Sequence, residues 1–187
     1  MALMKKIFLD VIKIVPSFDL TDAKILPYGL KPHTRSVSWI VEQVITQQAK
    51  FNAKKLGIDS VDIDLPDTCL HDCIVVLHGI KYFINIKITK ASAKPTRNDI
   101  SAVEKLYMQY VANPDYRLIY AVFGFDFDNI NISFVADSVH LFSPQFLPVY
   151  VNPRNDKIQA LYKAEPHFRT RSEFLELLKA QSTSIAL

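Results

Sequence analysis

HDCIVVLHGIKYFINIK, residues 71–87, consists of two apolar runs joined at His78-Gly79. Gly79 takes a positive φ at no steric cost, so a two-residue loop here predicts a primed turn and a β-hairpin. The loop sets the register: Leu77 opposes Ile80, Val75 opposes Tyr82, and Asp72 falls opposite Asn85. Opposed residues share a face, with Cβ atoms about 4.5–5.5 Å apart. Lys87, two positions beyond Asn85, points the same way. The other face, formed by Cys73, Val75, Leu77, Ile80, Tyr82, Ile84, Ile86 and Ile88, is uniformly apolar and belongs in a core. Three polar groups therefore converge at one end of one face, as a solvated rim with an Asp–Lys surface pair or as a site.

Working outward, SVDIDL (residues 60–65) alternates strictly, with Val61, Ile63 and Leu65 on one side and Asp62 and Asp64 on the other. This predicts a strand that completes a three-stranded meander. Before it, SVSWIVEQVITQQAKFNAKKLG (36–57) reads as a helix with Trp39, Ile40, Val44 and Ile45 as its apolar stripe and Gly57 as its stop. After the hairpin, a lysine-rich loop, TKASAKPTR, leads into NDISAVEKLYMQYVAN (98–113). That segment is expected to be helical, capped by Asn98 or Asp99 and buried through Ile100, Val103, Leu106 and Tyr107. RLIYAVFGF (117–125) is a continuous apolar run, as in a strand covered on both faces. INISFVA, VHLF and LPVYV are further strands, and TRSEFLELLKAQ opens with a capping box, Thr170 with Glu173, before a helix buried through Phe174, Leu177 and Leu178. Residues 1–35 look irregular, interrupted by Pro16, Pro27 and Pro32. The expected fold is α/β, a mixed central β-sheet flanked by helices, in a single domain over residues 1–187.

Composition narrows the function classes. Of 187 residues, 49% are hydrophobic and 22% charged, which is a globular balance and excludes an extended disordered chain. No apolar run approaches the roughly 18 residues of a membrane span, and no membrane partner is expected. Near the start, Asp10 and Lys13 interrupt the apolar stretch and no small-residue cleavage site follows, so a signal peptide is not read there. Cys69 and Cys73 lack a zinc-ligand pattern and are expected to be free thiols in a reducing, cytoplasmic setting. A net charge of +3 permits a polyanionic partner without requiring one.

Asp72, Asn85 and Lys87 form the kind of cluster that phosphodiester hydrolysis needs. Hard divalent ions take oxygen ligands, commonly one or two carboxylates with water and substrate phosphate. A neighbouring lysine can hold the attacking water or a phosphoryl oxygen. The hairpin resembles the active-site hairpin of restriction endonucleases of the PD-(D/E)XK superfamily. There an Asp opens one strand, and an acidic residue, any residue and Lys follow on the next. Asp72 matches the Asp, Lys87 matches the Lys, and Glu42 on the preceding helix matches an accessory Glu found in many members. The similarity extends over roughly residues 36–125, including the loop and helix after the hairpin and the strand LIYAVFGF. It departs from the pattern at Asn85, where the family carries Asp or Glu.

The resemblance implies a type II restriction endonuclease that cleaves double-stranded DNA with Mg²⁺, or Mn²⁺, as a homodimer placing one site on each strand. The metal ligands are then Asp72 and Asn85, with Asp64 or Asp62 as a substitute carboxylate. Asn85 is alternatively an engineered change, or the mark of a catalytically silent DNA-binding protein. Pro66-Asp67 also fits the PD letters, but it falls in the turn, so Asp72 is preferred. Lys90, Lys94 and Arg97 in the basic loop, and Arg169 and Arg171 before the last helix, are candidate phosphate contacts.

Overall fold

The computed structural model describes residues 1–22, 24–29, 34–66, 68–92, 98–152, 154–155 and 157–181, with the side chains of 34–36 and 98 left aside. Its frame is the hairpin. Strands β1 (Ser17–Asp19), β2 (Ser60–Asp62), β3 (Cys73–Leu77) and β4 (Ile80–Lys90) belong to one large sheet, and β5 (Asn98–Ala102) belongs to a second, smaller one. The large sheet is completed by β6 (Leu118–Asp128), β7 (Asn131–Phe134) and β8 (His140–Phe142), and the small one by β9 (Val149–Asn152) and β10 (Lys157–Ala160). The strand order is β1-β7-β6-β4-β3-β2, with β8 also on β6. The β4 and β6 strands run parallel and the other pairs antiparallel, which makes this the expected mixed sheet.

In the hairpin, Leu77 pairs with Ile80 and Val75 with Tyr82, as the turn predicts. His78 and Gly79 both have positive φ, 51° and 73°, the signature of a type I′ turn. Regular pairing ends at Cys73 with Ile84, while β4 continues to Lys90 alongside β6. Beyond Ile84, one edge of β4 therefore lacks its β3 partner.

Helices lie on both faces. The helices α1 (Ala2–Ile14) and α2 (Thr34–Phe51), followed by the short α3 (Ala53–Leu56), cover one side. There Ile7, Phe8, Val41 and Ile45 pack against Ile84, Ile86, Ala121 and Phe123. Helices α4 (Val103–Ala112) and α5 (Arg171–Ala180) close the other side with the small sheet, over Phe83, Leu118, Tyr120 and Val122. The alternation along β4 follows directly. Ile84 and Ile86 face the first core, and the positions between and beyond them, Asn85 and Lys87, face the second side.

Several local expectations are corrected. Residues 2–14 form a helix because Met4, Ile7, Phe8, Val11 and Ile12 recur at helical spacing and are all buried. The buried stripe of α2 is Val37, Val41, Ile45 and Ala49, while Trp39 is 66% exposed. The stretch before α4 is strand: β5 pairs with β10, so residues 98–102 gain a sheet ladder and the helix starts at Val103, with no side-chain cap. The β2 strand stops at Asp62, where the Asp62 carboxylate accepts from the Asp64 N–H (3.1 Å) and turns the chain out of the ladder. The C-terminal helix has the expected capping box, with Thr170 and Glu173 bonded reciprocally.

Candidate active site

The unpartnered edge of β4 is where the polar residues gather. The Asp72 N–H donates to the Ile84 carbonyl (2.7 Å), so its backbone leaves the ladder one residue before it would pair with Asn85. Its side chain then does what a neighbouring strand would do: Asp72 Oδ2 accepts from the Ile86 N–H at 2.6 Å. A charge-assisted bond of this length holds the carboxylate firmly. It commits one oxygen and leaves Oδ1 as the second acceptor. Burial raises the Asp72 pKa, against the lowering by that backbone bond and by the Lys87 ammonium.

Asn85 is 8% exposed. Its Nδ2 donates to the Leu70 carbonyl at 2.9 Å, which fixes the orientation of the amide, since a flipped amide would set two oxygens against each other. Among the described residues, Oδ1 is then buried with no hydrogen-bond partner. An unsatisfied buried acceptor costs about 1–3 kcal/mol. An amide oxygen in such a place can accept a hydrogen bond or ligate a cation.

Lys87 lies beside this pair with Nζ 5.8 Å from the Tyr120 ring centroid. Burial lowers its pKa, and the Asp72 and Glu42 carboxylates oppose that shift. Glu42 reaches the cluster from α2. Its pKa is pushed up to about 7, first by burial and then by the Asp72 charge, with Lys87 pulling the other way. Asp72, Lys87 and Glu42 are thus brought within electrostatic reach of one another from β4, α2 and the residue preceding β3. All three are partly desolvated, and each is displaced toward its neutral form.

Other expected participants lie elsewhere. The Asp64 side chain is 86% exposed and pairs with Lys50 at 3.3 Å. Because β2 ends at Asp62, its anticipated opposition to Asp72 does not form, and neither Asp62 nor Asp64 perturbs Asp72, Glu42 or Lys87. Arg169 Nη1 donates to the carbonyls of Gln145 and Leu147, both at 2.9 Å. Arg171 donates to the Asn113 carbonyl at 2.7 Å and lies 5.1 Å from the Tyr110 ring centroid. Both arginines brace the chain internally. Lys90 is exposed at the end of β4, while Lys94, Arg97 and the alternative Asp67 lie outside the described residues.

Two residues near the cluster escaped the sequence reading. His71 is buried, its Nδ1 3.1 Å from the Tyr116 hydroxyl and its ring edge-on to Phe83. Trp39, assigned to the core, instead lines a cleft of about 200 Å³ with Glu42, His71 and Asp72. The signal was present in WIVE, residues 39–42: an i, i+3 spacing sets Trp39 and Glu42 side by side on a helix.

No family model and no curated protein matches the sequence. Among solved structures, that of the NlaIV restriction endonuclease is similar, with a TM-score of 0.55 at 13% sequence identity. The match covers 80% of this chain and 65% of that one. The fold is restriction-endonuclease-like. At such identity the similarity carries the fold alone, and this chain spans less than two thirds of the length of that enzyme. Within a restriction-endonuclease-like fold, the mixed sheet with its flanking helices supplies the frame, and the chemistry must be argued from this chain's own side chains.

The raised Glu42 pKa has a testable consequence for stability. A carboxyl that ionises near 7 in the fold and near 4.5 when unfolded binds more protons folded than unfolded between those values. Its contribution is fully present below pH 4.5 and is lost as pH rises to 7. Discounted for the half-exposed position, the loss is about 1–2 kcal/mol. Glu42→Gln removes it, so in EDTA at pH 8 the variant is expected to melt about 2–8 °C higher than the parent, with no gain at pH 4.5. Melting curves at the two pH values check this. An equal shift at both would mean that ionisation is not the cause.

Proposed function

We propose that this chain is a divalent-metal-dependent endonuclease of the restriction type, cleaving double-stranded DNA as a homodimer. The observation that carries this reading is the electrostatic coupling of Asp72, Glu42 and Lys87, beside a strand on which Asn85 Oδ1 is buried and, among the described residues, without a hydrogen-bond partner.

The donor set suits Mg²⁺ or Mn²⁺. Among the described residues no three His, Cys, Asp or Glu side chains form a self-sufficient metal cage. A hydrolytic Mg²⁺ site does not need one, because waters and the substrate phosphate complete the shell. Asp72 Oδ1 and Asn85 Oδ1 would hold the ion, with Glu42 adjacent. An ion held by these residues would supply a lowered pKa for a bound water and offset charge on the leaving oxygen. The protein's own contributions are distinct. The Ile86 N–H holds the Asp72 carboxylate in one orientation. Lys87, drawn toward neutrality by burial and held charged by two carboxylates, donates to a phosphoryl oxygen as negative charge builds on phosphorus. Glu42, ionising near neutral pH, is suited to take a proton from the attacking water while the phosphorus–oxygen bond to the leaving sugar breaks. Lys90, exposed past the cluster on the same strand, is suited to a flanking phosphate, and Lys94 and Arg97, which lie outside the described residues, are proposed to act with it.

Asn85 also favours a second reading, a DNA-binding protein without catalysis, because its amide is fitted to the Leu70 carbonyl and supplies no charge to a metal. Plasmid cleavage separates the two. Incubation with Mg²⁺ or Mn²⁺ is expected to convert supercoiled DNA to nicked and linear forms, and EDTA to stop it. Salt-sensitive DNA binding with no cleavage by either ion would leave the binding-only reading in place.

A further inference from the structure

Trp39 is the only tryptophan in the chain, and it is 66% exposed. The core of α2 is complete without it, since Val37, Val41, Ile45 and Ala49 fill the buried stripe. Trp39 is one of the residues lining the cleft, together with Glu42, His71 and Asp72. This cleft has two kinds of wall: Trp39, Ile63, Leu65 and Pro66 are apolar, and Gln43 joins the two carboxylates in supplying polar edges. At about 200 Å³ it is smaller than a site for a drug-sized ligand, which takes about 300–1,000 Å³. The occupant that matches is flat, apolar on its faces and polar at its rim.

We infer that this cleft receives one unstacked base of the bound nucleic-acid strand, with Trp39 as its stacking platform. The inference rests on the reading of Asp72, Glu42 and Lys87 as a phosphodiester-cleaving site. It adds that the nucleotide beside the cleaved phosphate leaves its stack to bind. Within a duplex both faces of each base are covered by neighbours, so an aromatic platform can engage only a base that is extruded or already single-stranded. Stacking of this kind tolerates any base, because every base has a π-face. Trp39 therefore contributes affinity and placement more than sequence choice. The Lys87 ammonium, electrostatically coupled to both carboxylates, is the cation suited to the phosphate of the same nucleotide.

The lone tryptophan is its own reporter. Tryptophan emission is measured in EDTA during titration with a dye-labelled single-stranded oligonucleotide, and with an abasic oligonucleotide of equal length and charge. Dye anisotropy reports occupancy independently. Saturable quenching by the base-bearing strand, with none by the bound abasic strand, is the expected result. Trp39→Ala should weaken the base-bearing strand about tenfold and leave the abasic strand unchanged, and Trp39→Phe should recover most of the loss. If both strands bind without quenching, and Trp39→Ala binds them as the parent does, the base pocket is overturned while the nuclease reading stands. If neither strand nor duplex DNA binds, the nucleic-acid reading falls and takes the pocket with it.

Discussion

Lys87→Met is expected to lower the single-turnover rate of DNA cleavage by about 10²–10³-fold while leaving the protein folded and able to bind DNA. Lys87 lies on β4 where the β3 ladder has ended, with Nζ near the Tyr120 ring and two carboxylates within electrostatic reach. Its desolvation is unfavourable in the free protein, and that is why it matters during reaction. A cation already stripped of water needs no reorganisation when negative charge grows on the phosphoryl oxygens. Methionine keeps an unbranched apolar stem and removes the charge that lies 5.8 Å from the Tyr120 ring centroid, so a stability loss would not explain the result. Relief of desolvation should leave the melting temperature unchanged or slightly higher. Lys87→Ala should lose activity similarly, with an added packing loss. Rapid-quench cleavage of a labelled duplex, beside binding by anisotropy, makes the measurement. A Lys87→Met protein cutting at the parent rate would remove Lys87 from the chemistry.

The hairpin was legible because its information is local. His78-Gly79 sets a two-residue turn, and apolar alternation on both arms leaves one register that buries one face. The parallel neighbour β6 was legible too, since only a strand covered on both sides carries an unbroken apolar run such as residues 118–125. What the residues did not disclose was where the ladder ends. Asp72 was expected to oppose Asn85, yet its own carboxylate substitutes for strand backbone at Ile86, and no periodicity encodes that exchange. The same limit explains β5. Residues 98–102 read as the first turn of a helix until β10, distant in sequence, offers them a ladder. Trp39 failed for a different reason. Apolar residues on adjacent sides of α2 define two overlapping stripes, and only contact with α1 and the sheet selects the one through Val41 and Ile45. The stripe through Trp39 points to the core in sequence, whereas in the fold Trp39 lines the cleft. The α1 pattern, by contrast, was readable from Met4 to Ile12 and was obscured by the prolines that follow it.

Asn85→Asp is expected to destabilise the metal-free protein and, with Mg²⁺ present, to raise cleavage. Both effects follow from one geometry. The Asn85 Nδ2 donates to the Leu70 carbonyl at 2.9 Å, and a carboxylate would set an oxygen against that carbonyl instead. The new charge would also stand in a site where burial already holds Glu42 and Asp72 toward their protonated forms, with the Asp72 charge adding to the effect at Glu42. Losing the bond and burying the charge should together cost about 1–3 kcal/mol in EDTA, seen as a lower melting temperature. A divalent cation reverses the balance. The added charge lies at the position whose Oδ1 is without a partner, so each ionised carboxylate strengthens the hold on the ion. The stability deficit should therefore close on adding Mg²⁺, and the Mg²⁺ concentration for half-maximal cleavage should fall about tenfold or more. The parent, with a neutral oxygen in that place, should work better with Mn²⁺ than with Mg²⁺, and the substitution should narrow the difference. Asp64→Ala supplies the control, because Asp64 is exposed and paired with Lys50, and its loss should leave cleavage unchanged. If Asp64→Ala abolishes cleavage while Asn85→Asp alters neither stability nor metal dependence, the ion is held by Asp64, beyond the end of β2. If Asn85→Asp is destabilised in EDTA and Mg²⁺ fails to restore it, the amide serves the Leu70 contact alone and the ion does not touch it.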